Sequence, residues 1–283
     1  RDRDGNVVKT AERGRNLDLS DLPWPAYHLA DMDQYISNNK TKYASDPGLK
    51  DWVIERGIDP DKADRPVFLY SKRGCPFGCS FCYRNFGRKV VYHPVDYVID
   101  HMSFLEENYN TVSFVFGDEL FNVNRIWVTE FCEKIISQKR KWVLSTGNGL
   151  RANCLSLDDL KLMQQAGFYR VGIGIESFYD PTLKAMQKNQ TAKQIFDAIK
   201  ATQTIKMHIA SALLLFGYES DGWESMQANV DALTKLGLFD ANFAIPCPYP
   251  GTRLYDLAVE RGLITDEEGW LMELADKDIS SRM

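Results

Sequence analysis

The residues whose types and spacing promise the most chemistry are Cys75, Cys79 and Cys82, in the run Cys75-Pro-Phe-Gly-Cys79-Ser-Phe-Cys82-Tyr83. Intervals of three and two residues let one loop wrap three thiolates around a single centre. Gly74 and Gly78 permit the tight backbone path this needs. Two readings follow. On a [4Fe–4S] cluster, which usually takes four cysteines, three ligands leave one iron open to an external ligand. Alternatively, His93 closes a structural Cys₃His zinc site. The other cysteines carry less: Cys132 lies beside Phe131, Ile135 and Ile136 and reads as core packing, Cys154 has no evident partner, and Cys247 at a strand end reads as structural. Three of six cysteines within eight residues suit metal binding in a reducing compartment better than a disulfide framework.

Further polar groups recur just after apolar runs. They are Gly117-Asp118-Glu119, Arg151, Glu176-Ser177 and the stretch Gly217-Tyr218-Glu219. Each has a plain reading, as an acidic turn or a surface arginine closing a strand. A carboxylate that ends an apolar strand is costly to bury without partners, which favours a role for Glu176.

The elements that must position these groups alternate. Strand candidates are Val67–Ser71, Thr111–Phe116, Trp142–Ser145, Arg170–Ile175, Ile209–Phe216 and Asn242–Ile245. Helix candidates are Val95–Asn108, Arg125–Gln138, Ser156–Gln165, Ala192–Thr204, Trp223–Leu236 and Thr252–Arg261, with Gly167, Gly237 and Gly262 where left-handed caps belong. Asp180-Pro181 opens a short helix. The expected fold class is α/β, a partial (β/α)6 TIM-like barrel with active groups at the strand C-termini. A flat doubly wound sheet is the alternative.

Residues 1–65, with Pro23, Pro25, Pro47 and Pro60, read as an irregular linker or lid with one short helix around Leu29–Ile36. The core is assigned to 66–262 and a C-terminal extension to 263–283. The first residue is Arg1, so an upstream region is expected. The chain has 283 residues, 44% of them hydrophobic and 26% charged, ordinary for a globular enzyme. Its net charge of −5 argues against a nucleic-acid partner, and its longest apolar stretch is too short to span a bilayer.

The cysteine run resembles the CxxxCxΦC signature of the radical S-adenosylmethionine (SAM) superfamily, with Phe81 as the aromatic before the third cysteine. The resemblance extends over Val67 to Gly262. It implies a [4Fe–4S] cluster on Cys75, Cys79 and Cys82, and reductive cleavage of SAM to a 5′-deoxyadenosyl radical that abstracts hydrogen from a small-molecule substrate. By the same resemblance Gly117, Asp118 and Glu119 hold the methionine amino group, with Asp118 in place of the usual second glycine. Arg151 lies near the ligand, Glu176 and Ser177 near the ribose, and Gly217 near adenine. No catalytic residue beyond the cluster is assigned.

The segments Asn16-Leu-Asp-Leu-Ser-Asp-Leu-Pro-Trp-Pro-Ala-Tyr and Pro246-Cys-Pro-Tyr-Pro250-Gly-Thr252 resemble the branch associated with a cobalamin-binding domain. That branch contains methyltransferases and anaerobic magnesium-protoporphyrin ester cyclases. The likeness implies cobalamin carried by an upstream domain, an electron donor such as flavodoxin or ferredoxin, and a cytoplasmic setting. A zinc-stabilised binding module without catalysis is the competing expectation.

Overall fold

Helix capping and strand patterning explain most of the architecture. The computed structural model describes residues 8, 10, 11, 14, 18–40, 47–209 and 212–276. Three helices precede the first strand: α1 (Met32–Lys40), α2 (Pro47–Glu55) and α3 (Pro60–Ala63). Strand β1 (Pro66–Leu69) leads into the cysteine loop, which is bracketed by the antiparallel pair β2 (Lys72–Arg73) and β3 (Val91–Tyr92). There follow α4 (Val95–Tyr109), β4 (Ser113–Phe116), α5 (Arg125–Ser137), β5 (Val143–Thr146), α6 (Leu157–Ala166) and β6 (Phe168–Val171). The second half comprises α7 (Asp180–Ala185), α8 (Ala192–Thr204), β7 (His208–Ile209), β8 (Ala212–Leu215), α9 (Trp223–Leu236), β9 (Ala241–Ala244), α10 (Arg253–Glu260) and α11 (Glu267–Asp276).

Strands β1, β4, β5, β6 and β7 form one parallel sheet in that order, and β8 pairs parallel with β9. The two sheets are joined beyond β6. Leu150 bridges Ile173, Glu176 bridges Leu214, and the Glu176 N–H donates to Leu213 O at 3.1 Å. The result is an open arc of parallel strands rather than a closed barrel. The strand expected over Ile209–Phe216 thus appears as β7 and β8, with Ala210 and Ser211 outside the described residues. Asn16, Leu17 and residues 277–283 of the expected segments also lie outside them.

Local chemistry sets the element boundaries. In α6 the Ser156 hydroxyl accepts from Asp159 N–H while the Asp159 carboxylate accepts from Ser156 N–H; Thr191 and Gln194 repeat this at α8. Gly167 and Gly237 end α6 and α9 at φ 111° and 65°, conformations that favour glycine. Strands β4 and β5 are buried throughout, as expected of central strands covered on both faces. The main core gathers Phe114, Phe116, Phe131, Trp142 and Phe168.

The N-terminal region is more helical than the sequence reading, which gave only a short piece near Leu29–Ile36. Met32, Ile36, Leu49, Val53, Ile58 and Ala63 are buried in the main core. Trp24 stacks on His101 at 5.3 Å, and the Tyr27 hydroxyl lies 3.0 Å from His101 Nε2.

Candidate functional site

The cysteine loop follows β1, so it sits at the C-terminal end of the parallel strands, where loops of such folds gather reacting groups. Distant elements fix its path. Cys75 N–H donates to Gly87 O at 3.1 Å and Cys82 N–H to Cys79 O at 3.2 Å. Ser80, between two of the cysteines, is buried and fully engaged. Its N–H donates to Met186 O at 2.9 Å, its carbonyl accepts from Leu254 N–H at 2.8 Å, and its hydroxyl pairs with the Tyr218 hydroxyl at 2.9 Å.

All three thiols are half-buried. Burial pushes the Cys75 thiol up, opposed in part by the Phe77 backbone and by Arg151. Burial also raises Cys82, to about 11, with Cys79, Cys75 and Glu119 adding to the rise. Among the described residues no group of three or more His, Cys, Asp or Glu side chains stands in metal-holding geometry. The thiols are therefore within electrostatic reach of one another without converging on a common centre. His93, the alternative zinc ligand, faces elsewhere: its Nδ1 lies 3.0 Å from Leu19 O and its ring stacks on Tyr97 at 4.3 Å.

The end of β4 separates two acids. Asp118 turns inward: its Oδ1 accepts from Ser71 N–H at 2.7 Å and Lys72 N–H at 3.0 Å, and its carboxylate lies 3.9 Å from Lys72 Nζ. Lys72 is itself fully buried, donates to Phe121 O at 2.7 Å, and stands 4.1 Å from the Trp127 ring centre. Burial lowers its ammonium to about 8 despite the attraction of Asp118. Glu119 turns to the cysteine loop, accepting from Phe86 N–H at 3.2 Å through Oε1. Its Oε2 is buried with no hydrogen-bond partner. Gly117 lies under the Tyr70 ring, where a Cβ would come within 3.0 Å of the ring.

Arg151 supplies the second unsatisfied group. Its guanidinium lies 3.6 Å over Phe77 of the cysteine loop, and its Nη2 donates to Lys188 O and, at 2.9 Å, to Asn189 O. Its buried Nε has no partner. Glu176 ion-pairs with Lys188, both side chains being almost wholly buried. Ser177 is buried, and its hydroxyl accepts from Tyr179 N–H at 3.1 Å and sits 3.4 Å from Asn229 Oδ1. Gly217, at φ 129°, donates its N–H to Asp221 at 2.9 Å. Phe81 is half-buried between Ser80 and Cys82. Cys132 is buried in the core and raised to about 12 by burial, consistent with packing alone.

The structure thus brings the cysteine loop, Glu119 and Arg151 into one neighbourhood, since both charged groups act on the Cys75 thiol. Glu176 adjoins it through Lys188, whose carbonyl receives Arg151. Lys188 and Ser80 were not among the sequence candidates. Nothing local in the chain marks them, because their partners are remote in sequence. The residues fit a cluster carrying a zwitterionic ligand: three cysteine donors, an unpaired carboxylate oxygen suited to an ammonium, and an unpaired guanidinium N–H suited to a carboxylate.

The chain has relatives among known proteins. The chain is 27% identical over 266 residues to an uncharacterized methyltransferase of Pyrococcus horikoshii, covering 92% of this chain and 51% of the relative. It is 27% identical over 213 residues to the anaerobic magnesium-protoporphyrin IX monomethyl ester cyclase of Rubrivivax gelatinosus, covering 74% of this chain and 38% of the relative. The chain thus spans about half or less of the length of these curated relatives. Its fold is similar to that of the radical SAM methyltransferase TsrM from Kitasatospora setae, solved with cobalamin and a [4Fe–4S] cluster bound. The TM-score is 0.63 at 17% identity, over 72% of this chain and 39% of that one. No helix among the described residues is long and apolar enough to cross a membrane. The family model for the Radical SAM superfamily matches residues 69–228, more than half of the chain and all three loop cysteines, and with the strand arc and donor set just described this makes the chain a member of that superfamily.

Proposed function

We propose that this chain is the catalytic core of a radical SAM enzyme acting on a small-molecule substrate. The observation that carries the reading is the pair of unsatisfied buried polar atoms, Glu119 Oε2 and Arg151 Nε, beside a loop of three half-buried thiols. Cys75, Cys79 and Cys82 would hold a [4Fe–4S] cluster with one iron left for the amino and carboxylate groups of SAM. Held there, a reduced cluster would supply the one-electron chemistry that reductive cleavage of SAM requires.

The chain's own residues bind and orient. Glu119 accepts an N–H of the methionine amino group, and Arg151 donates Nε–H to the carboxylate while its stack on Phe77 keeps the loop in place. Glu176 accepts from ribose hydroxyls. Ser177 acts beside it by fixing the chain against Asn229, and Gly217 leaves room for the adenine. Asp118 supports the site from behind by gathering Ser71 and Lys72 ahead of the loop. Phe81 closes the apolar side of the loop against solvent. Residues 66–262 would carry the site, with 1–65 as a linker or lid whose helices also contribute Met32, Ile36 and Val53 to the main core, and 263–283 as an extension.

The likeness to a methyltransferase and a cyclase supports methyl transfer or cyclisation as the outcome, with cobalamin supplied by a further domain. The electron would come from a flavodoxin or ferredoxin, in the cytoplasm. Anaerobic reconstitution with iron and sulfide tests the reading. Near four irons per chain, an electron paramagnetic resonance signal that shifts on adding SAM, and 5′-deoxyadenosine formation with dithionite are expected. A Cys75→Ala/Cys79→Ala/Cys82→Ala variant should lose all three. Zinc in place of iron, or undiminished cleavage by that variant, would overturn it.

A further inference from the structure

We infer that Lys188 is a positioning residue that aims Glu176 at the ribose and ties that contact to the cysteine loop. The inference rests on the proposed SAM site and names a residue that site needs. Its first support is the ion pair itself: Lys188 Nζ meets Glu176 Oε1 where both side chains are almost wholly buried. A lone carboxylate in that position would be held back by its desolvation, so the ammonium is what allows a charged acceptor there.

The second support is backbone strain. Six non-glycine residues among those described have positive φ. Asn110, Lys139, Gln187 and Lys206 each follow the last turn of a helix, where this conformation is ordinary. The remaining two, Glu176 at 59° and Asn189 at 51°, end no helix and both belong to the Lys188 network; asparagine enters this region readily, so the strain lies at Glu176. Such strain persists only where surroundings over-determine the conformation. At Glu176 they do: its N–H donates to Leu213 O, its carbonyl accepts from Leu215 N–H at 2.8 Å, and its carboxylate meets Lys188.

The third support is connectivity. Arg151, stacked on Phe77, donates to the carbonyls of Lys188 and Asn189. Ser80 N–H donates to Met186 O two residues earlier. The 186–189 turn therefore holds the cysteine loop on one side and, through the Lys188 side chain, Glu176 on the other. Gly174 makes room, because a Cβ there would stand 3.0 Å from Lys188 Nζ.

The test measures equilibrium binding of S-adenosylhomocysteine and of its 2′,3′-dideoxyribose analogue to the anaerobically reconstituted protein. Lys188→Met should weaken S-adenosylhomocysteine at least about tenfold, corresponding to about 1.4 kcal/mol. It should leave the dideoxy analogue and the iron content unchanged. Lys188→Arg should recover most of the loss, and Lys188→Met should add nothing in a Glu176→Gln background. If Lys188→Met fails to fold, the neutral double variant Lys188→Met/Glu176→Gln and Lys188→Arg carry the comparison. A folded Lys188→Met protein that binds both ligands as the parent does would overturn the inference, as would equal weakening of both. A parent protein that binds iron but no S-adenosylhomocysteine would instead sink the proposed function.

Discussion

Asp118 and Glu119 are adjacent acids whose side chains leave the end of β4 in opposite directions. Asp118 is buried against Ser71 and Lys72, while Glu119 faces the cysteine loop with one oxygen unpaired. Alternation along a strand makes such a division natural, but which acid faces which way depends on register, and the residue types do not reveal it. Asp118→Ala leaves the Lys72 ammonium buried with only the Phe121 carbonyl and aromatic faces around it. A loss of about 3–5 kcal/mol is expected, read from urea unfolding of the cluster-free protein. Asp118→Asn, which keeps an oxygen for the Ser71 and Lys72 N–H groups, should lose clearly less. Equal losses would show that the charge of Asp118 counts for little beside its hydrogen bonds.

Elements with local signals were the legible part of the chain. Helices α8 and α9 have the boundaries their period gave, because Thr191 with Gln194 opens one and Gly237 closes the other. The cysteine loop, Glu119 and Arg151 were legible as motif residues after strands. Lys188 was not, because an ion pair across a turn leaves no periodic trace. The helices before β1 were also obscured: their buried residues, such as Ile36 and Val53, are few and separated by polar stretches. Beyond β5 the strands approach so closely that side chains are excluded. A Cβ at Gly149 would lie 2.6 Å from the Gly174 backbone nitrogen. Gly149→Ala should therefore cost about 1–3 kcal/mol by forcing these backbones apart. It should also weaken S-adenosylhomocysteine binding, since the Leu150–Ile173 bridge lies next to it. Asp59→Ala, which removes the N-cap of α3 before β1, should cost about 1 kcal/mol and leave binding intact. Calorimetric melting with parallel binding measurements separates the two.

At the scale of the whole molecule, the residues before β1 are attached through aromatic and histidine contacts on α4. His101 stacks on Trp24 and meets Tyr27, and burial lowers its imidazole from 6.5 to about 4. The unfolded chain thus takes up this proton first as pH falls. The associated stability is fully present above about 6.5 and disappears as pH falls towards 4, by about 3 kcal/mol in all. His101→Phe should flatten the fall of Tm between pH 6.5 and 4, and an unchanged slope would place the acid sensitivity elsewhere. The Ser80 contacts bear on the order of events during synthesis. A short segment near the start of the strand arc is held by Met186, Tyr218 and Leu254, the last of which emerges from the ribosome long after the cysteines. On the proposed reading, cluster loading would be a late event: a nascent chain halted before α10 carries every thiol but lacks the Leu254 contact on Ser80, so metallation should follow translation rather than accompany it.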